Sequence, residues 1–586
     1  MHFSRHSLVL VVSLVAATSL AAADSGPLSP ITTFQGNPAL SSVNVVRDAL
    51  DGGSFHPTKN WVAVSDNATT TRIFDLDALP GAHTVVQTFT HNTRFQYGKP
   101  ATRSQDSDGD SNPVSFTPDG NWMLTGINDG GVKIWNVNTG AQSQQLDSGV
   151  SVDGAAFSGN GRFVGVRANS LLKIYRFDTS TGQANTTPLL TNDFGSGEIN
   201  ALDFSDDGKY LVAVGGVGSG KVKIFNTSNW SLKSEYTNPG PGKVSIKSVM
   251  FSPDSQLVAY GARQERARFV DLDGNLVKIL PHNSDHTFYR YDDNDRSAAN
   301  ESLDWTADGK YLVTGGLIDG IARVWRRRDW SLVGWVRGQD PGPDVLKTPP
   351  RGRAIEVVRI DRKNRVLLGG DEGVARIYQF NTPTDKGAFT QGKGSAPVSI
   401  EAENFDTNLG QGFVTGTTNH QAWVAMTHAG ASGGAGLTVA DAGMKHDTSY
   451  QSYDPTVDAP KLDYIVEFVQ TGTYYIWVRG MGADDGNSIH IGLDGEMVDS
   501  GEKIQFGDDG SVNWVWSNLN RDGRPAKLVI GEVGEHTLNL WMREDGVSID
   551  KLGFSTDPLF DPTTLNGGLG SLETARAVAP VPVRPR

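Results

Sequence analysis

Residues 114–140 read VSFTPDGNWMLTGINDGGVKIWNVNTG. The stretch parses as strand, turn, strand, turn, strand. Asp119-Gly120 supplies a tight hairpin turn, since a following glycine tolerates the left-handed backbone such turns need. A second turn carries Asp129-Gly130, and the third strand ends in the apolar–aromatic pair Ile134-Trp135. The template returns as LDFSDDGKYLVAVGGVGSGKVKIFNTSNW (202–230) and LDWTADGKYLVTGGLIDGIARVWRRRDW (303–330). Looser copies bring the anchor positions to seven: Phe55, Phe116, Phe157, Phe204, Phe251, Trp305 and Ile360. A repeat of roughly forty to fifty residues with four strands per copy means a propeller, because one such sheet cannot bury both faces until neighbours stack around an axis.

The copies resemble WD-repeat propellers in the S/T-P-D-G turn, the later Asp-Gly turn and a third strand of the form [VI]-[KR]-[IV]-[WYF]. The resemblance implies a seven-bladed propeller over 35–381, with six or eight blades as alternatives because the region before Phe55 can contribute a closing strand. Neither the Trp-Asp nor the Gly-His dipeptide of that family is present. Its buried Asp–His–Ser/Thr–Trp network is therefore expected to be broken here.

The start of the chain reads as a secretory signal over 1–23: Arg5, an apolar run from Leu8 to Leu20, then Ala21-Ala22-Ala23. The apolar run is short for a membrane span, and no later segment qualifies. The expectation is a secreted or periplasmic protein. There is no cysteine, which excludes disulfides, thiolate metal sites and a cysteine nucleophile. A net charge of −14 argues against nucleic acid as a partner.

Three connections between repeats are long: 95–113, 281–300 and 337–353. By register they share one face of the ring, and long loops on a rigid scaffold often bind. Asp106, Asp108 and Asp110 alternate as in a calcium loop; the bland reading is a solvated polar turn. His286 and Tyr289, with Arg351 and Arg353 from the third loop, have the residue types for acid–base chemistry on an acidic sugar. The bland reading is a polar loop packed on the rim.

A linker is expected over 382–397, where apolar periodicity is missing. From 398 to 560 strict alternation returns, as in DYIVEFV (463–469) and HTLNLWMRED (536–545), where Leu538, Leu540 and Met542 share one face. This is a second all-β unit of sandwich size. Its opening IEAENF, central GTYYIWVRG, aromatic NWVWSN and closing GEHTLNLWMREDGVSIDKLGF resemble the jelly-roll carbohydrate-binding modules of families six and thirty-five. Glu401 and Glu403 lie two apart in a strand-like run, so their like charges need compensation. The resemblance implies that they and Asp550 hold a structural calcium. It also implies a sugar site at one end of the sandwich, with Trp514 and Trp423 as stacking platforms and Glu544, Asp545 and Ser548 as hydroxyl partners. Trp516 is expected to face the core. The family often has Asn where Ser548 lies. Residues 561–586 read as a flexible tail.

Taken together, the sequence predicts an all-β, exported, glycan-binding protein whose propeller is an interaction platform for another protein. A polysaccharide lyase or glycosidase on the loop-rich face, and a protein–protein adaptor, are the alternatives.

Overall fold

The computed structural model describes residues 28–577 except 36–49, 67–69, 78–83, 92–112, 128–130, 149, 151, 153, 196–198, 216–219, 239–245, 263–264, 281–299, 317–319, 339–353, 371–372, 384–385, 411–420, 441–458, 483–487 and 508–512. Seven antiparallel sheets, beginning at residues 50, 114, 155, 199, 246, 300 and 355, form the blades. The first strand of each blade touches that of the next, and the seventh returns to the first. The outermost strand of blade seven comes from the other end of the propeller: Leu28–Gln35 pairs antiparallel with Val374–Phe380. The propeller thus begins at residue 28 rather than 35. The region before Phe55 thus does supply the closing strand, and the pairing across the ring places it at 28–35.

The Ser/Thr-x-Asp-Gly turns explain themselves in hydrogen bonds. Thr117 Oγ1 donates to Asp119 at 2.6 Å and accepts from the Trp122 amide at 3.1 Å. Ser205–Asp207 and Thr306–Asp308 repeat the arrangement at 2.7 Å each. Gly120, Gly208 and Gly309 follow at φ of 72°, 70° and 66°, conformations that glycine adopts without steric cost. Short side chains staple neighbouring blades: Ser115 Oγ accepts from the Phe157 amide at 3.2 Å, and Ser302 Oγ from that of Val358 at 2.9 Å. The family network survives in part. Trp135 and Trp325 donate to Thr125 and Thr314 at 2.9 Å, and His91 meets Thr71 Oγ1 at 3.1 Å.

The second unit is a sandwich of two sheets. One runs Phe389–Thr390, Lys461–Phe468, Gly534–Met542, Ser488–Leu493, Glu496–Met497; the other runs Val424–Thr427, Ala435–Thr438, Ser548–Ser555, Gly472–Met481, Val515–Ser517. Their inner faces share one core that includes Tyr464, Tyr474, Ile476, Val478, Leu538, Leu540 and Phe554.

Two boundaries shift. Phe389, inside the stretch expected to be a linker, is 1% exposed and pairs in parallel with Val466, so 382–397 already enters the sandwich. Residues 561–577, expected to be flexible, wrap back onto it. Arg576 stacks on Phe389 at 3.9 Å and pairs with Asp406 at 2.8 Å, and the Ala577 amide donates to Ala388 at 2.7 Å.

The sandwich is seated against blade six. Leu409 joins the blade's core beside Trp325 and Trp335. Arg326 lies between Asp329 at 2.6 Å and Asp463 at 3.4 Å, while Thr537 donates to Asp329 and Asn539 to Asp463. All of these side chains are buried. Burial pushes the Asp329 carboxyl up, but Arg326 outweighs it and holds the group well below the usual carboxylate range.

Candidate functional site

The register gathers the sandwich connections at one end. Leu409 faces Lys461, Lys461 faces Trp541, Thr438 and Met481 both face Ser548, and Ser488 faces Gln505. The strand ends flanking 411–420, 441–458, 483–487 and 508–512 therefore all lie at this end. Near it, the outer face of the second sheet carries a polar cluster.

The cluster answers the charge problem of Glu401 and Glu403 partly with the chain's own cations. Lys551 pairs with Glu401 Oε1 at 2.7 Å, and Ser432 Oγ donates to the same oxygen at 2.9 Å. Arg479 pairs with Asp550 Oδ2, and the Ser432 amide donates to Asp550 Oδ1 at 2.8 Å. Asp550 thus already has one partner on each oxygen. Glu401 Oε2 and Glu403 Oε2 are buried and have no partner among the described residues. Burial pushes the Glu403 carboxyl up, and Glu401, Asp550 and Glu573 add to the shift. Two orphaned oxygens beside further carboxylates suit a hard cation, although no group of three His, Asp or Glu ligands converges among the described residues. Glu401 and Glu403 supply the unpartnered oxygens, and Asp550 is a third carboxylate near them.

The aromatic candidates separate. Trp514 is half-buried; its Nε1–H donates to His428 Nδ1 at 2.9 Å, and the Arg479 guanidinium lies 5.6 Å from its ring centre. Trp423 is 2% exposed within the sandwich core and donates to the Pro460 carbonyl at 3.2 Å. Its ring presents no face to a ligand, which corrects the expectation of a platform. Trp516 is corrected in the other direction. It pairs across from Arg479 on the outer face, its Nε1–H donates to the Gly568 carbonyl at 2.9 Å, and the returning segment covers it. Val515, its neighbour, packs on the core instead.

Glu544, Asp545 and Ser548 do border the loop end, but all three are buried. Glu544 takes Ser488 Oγ and Arg543 at 2.6 Å each, Asp545 takes Gln421 at 3.3 Å, and Ser548 donates to Thr438 at 2.8 Å. They brace the loop bases from below. Asp106, Asp108, Asp110, His286, Tyr289, Arg351 and Arg353 lie outside the described residues.

Sequence reasoning missed His428, Arg479 and Glu573. Alternation could have found Arg479, since Tyr474, Ile476 and Val478 face the core of its strand and turn it outward. It also missed two carboxylates among the innermost propeller strands. Asp203 accepts the Phe251 amide and Asp304 the Ile360 amide, each at 2.7 Å from the next blade. Burial pushes Asp203 up to about 7 and Asp304 up to about 6, with Arg359 opposing.

Comparison with known proteins recovers the same two units. Residues 388–561 match the family model "Glycosyl hydrolase family 115 C-terminal domain", and 114–136, 187–226 and 301–326 match "WD domain, G-beta repeat". An uncharacterized protein P23 of Formosa agariphila is 32% identical over 17% of this chain and 26% of its own length. Pre-mRNA-processing factor 19 homolog 2 of Arabidopsis thaliana is 30% identical over 28% of this chain and 30% of its own. Pre-mRNA-processing factor 19 of Oryza sativa is 30% identical over 26% and 29%. The chain thus spans under a third of these relatives. The chain joins a WD-type propeller to a C-terminal sandwich that matches the C-terminal domain of glycoside hydrolase family 115, a pairing that suggests glycan-related function or protein interaction. No helix among the described residues is long and apolar enough to cross a membrane.

Proposed function

We propose that this chain is an exported glycan-binding protein whose sandwich holds the sugar and whose propeller presents a platform to a partner protein. The observation that carries it is Trp514, an indole held on the outer face beside the end where the sandwich connections gather. Sugar rings have apolar C–H faces that stack on aromatics. The match to a domain of a glycoside hydrolase family supports a carbohydrate ligand, and the WD-type propeller supports a protein partner. Stacking on one indole contributes on the order of one to a few kcal/mol, so a single site binds in the micromolar to millimolar range. The test is retention of the full chain on immobilised polysaccharides. Trp514→Ala is expected to abolish it with circular dichroism unchanged, and equal retention by both proteins overturns the proposal.

A calcium ion is part of the same proposal. The free oxygens of Glu401 and Glu403 would hold it, and it would neutralise charge that Lys551 and Arg479 leave uncompensated. A ligand bound only by the native state stabilises it by mass action. Chelation is therefore expected to lower the melting temperature of the wild type but not of Glu403→Gln. An identical melting temperature with and without chelator refutes the ion.

A further inference from the structure

We infer that His428 is a sugar-contacting residue, donating a hydrogen bond from Nε2 to an oxygen of a neutral pyranose stacked on Trp514. The inference rests on the glycan reading of Trp514 and adds a second contact and a ligand class.

His428 begins the tight connection between strands Val424–Thr427 and Ala435–Thr438. Its Nδ1 accepts two hydrogen bonds, from the Gly430 amide at 3.1 Å and from Trp514 Nε1–H at 2.9 Å. A nitrogen that accepts cannot carry the proton, so the neutral ring bears it on Nε2. That N–H has no partner among the described residues and is not among their buried polar atoms. The two rings meet edge to face, with centroids 5.6 Å apart and planes at 83°. A donor therefore stands beside the indole.

The Arg479 guanidinium lies 5.6 Å from the ring centre, and Arg479 is 8% exposed while Trp514 is half-buried, so part of the indole stays accessible beside a covered cation. Gly430 and Gly436 let it lie so close. A Cβ on Gly430 would come within 3.1 Å of Trp514 Cδ1, and one on Gly436 within 3.5 Å of its Cη2. The nearby cations are committed: Arg479 to Asp550, Lys551 to Glu401. The described surface thus presents an apolar ring face and a neutral donor, which matches an uncharged pyranose better than a uronate.

The test uses the full chain with xylohexaose, cellohexaose, mannohexaose and hexagalacturonate as probes, read by calorimetric titration. His428→Asn can keep an acceptor where Nδ1 stood, and so hold Trp514, but removes the outward N–H. It is expected to weaken binding of a neutral hexaose about threefold to tenfold, the worth of one hydrogen bond, at an unchanged melting temperature. His428→Ala, which also frees the indole, is expected to cost more. A deoxygenated sugar that costs the wild type as much affinity, and costs His428→Asn nothing further, identifies the contact as direct. Wild-type affinity in His428→Asn, with Trp514→Ala inactive, overturns the inference and leaves the stacking site. Binding confined to hexagalacturonate overturns the ligand class. Equal binding by wild type and Trp514→Ala, or no binding to any probe, overturns both readings.

Discussion

Asp203 and Asp304 fasten neighbouring blades through backbone amides, and both titrate far above an ordinary carboxyl. The direction matters. Between the ordinary value near 3.8 and about 7, the folded chain keeps a proton on Asp203 that the unfolded chain releases. That contribution is complete below the lower value and is lost as pH rises through the upper one. Asp203→Asn still offers an oxygen to the Phe251 amide but cannot titrate. Thermal melts are expected to show the variant gaining on the wild type as pH rises from the ordinary value near 3.8 to about 7; parallel pH profiles would refute the assignment. Trp423 and Trp514 give a second contrast. Trp423→Ala empties a core position and is expected to cost about 3–5 kcal/mol in denaturant unfolding. Trp514→Ala leaves no core cavity and is expected to spare stability while removing glycan retention.

At the scale of elements, the returning C-terminal segment changes most from expectation. Composition marked 561–586 as tail, because turn formers and scattered polar residues show no period. Yet Arg576 lies on Phe389 and pairs with Asp406, and Glu573 accepts from Asn404. Ending the chain at residue 560 uncovers Phe389 and Trp516 together. The truncated chain is expected to melt at a lower temperature than the full chain. An unshifted melt would mean the segment only rests on the surface. The strands themselves were legible, since alternation in HTLNLWMRED assigned Leu538, Leu540 and Met542 to the core face, where they lie. Which outward residues meet was not, since pairing joins positions far apart in sequence, as with Arg479 and Asp550.

Across the whole molecule, the buried charges between blade six and the sandwich make one body of two units. Removing one partner of a buried ion pair strands the other at a cost of about 3–5 kcal/mol. Asp329→Ala leaves Arg326 facing Asp463 at 3.4 Å without its closest carboxylate. The wild type is expected to unfold in one calorimetric transition and Asp329→Ala in two, as the sandwich uncouples from the ring. Two transitions already in the wild type would deny the coupling.

The repeat in 114–140 and its six relatives determined the propeller, because turn chemistry and strand alternation are local and each copy states them again. The second unit's all-β character came from the same local signals. What the tertiary structure alone decided was partnership. It closed the ring with 28–35, drew Phe389 and Arg576 into the sandwich, committed Asp550 to Arg479, and set His428 beside Trp514. Hydrogen bonds and ion pairs depend on distances of a few ångströms between residues tens to hundreds of positions apart, and only the folded chain specifies those distances.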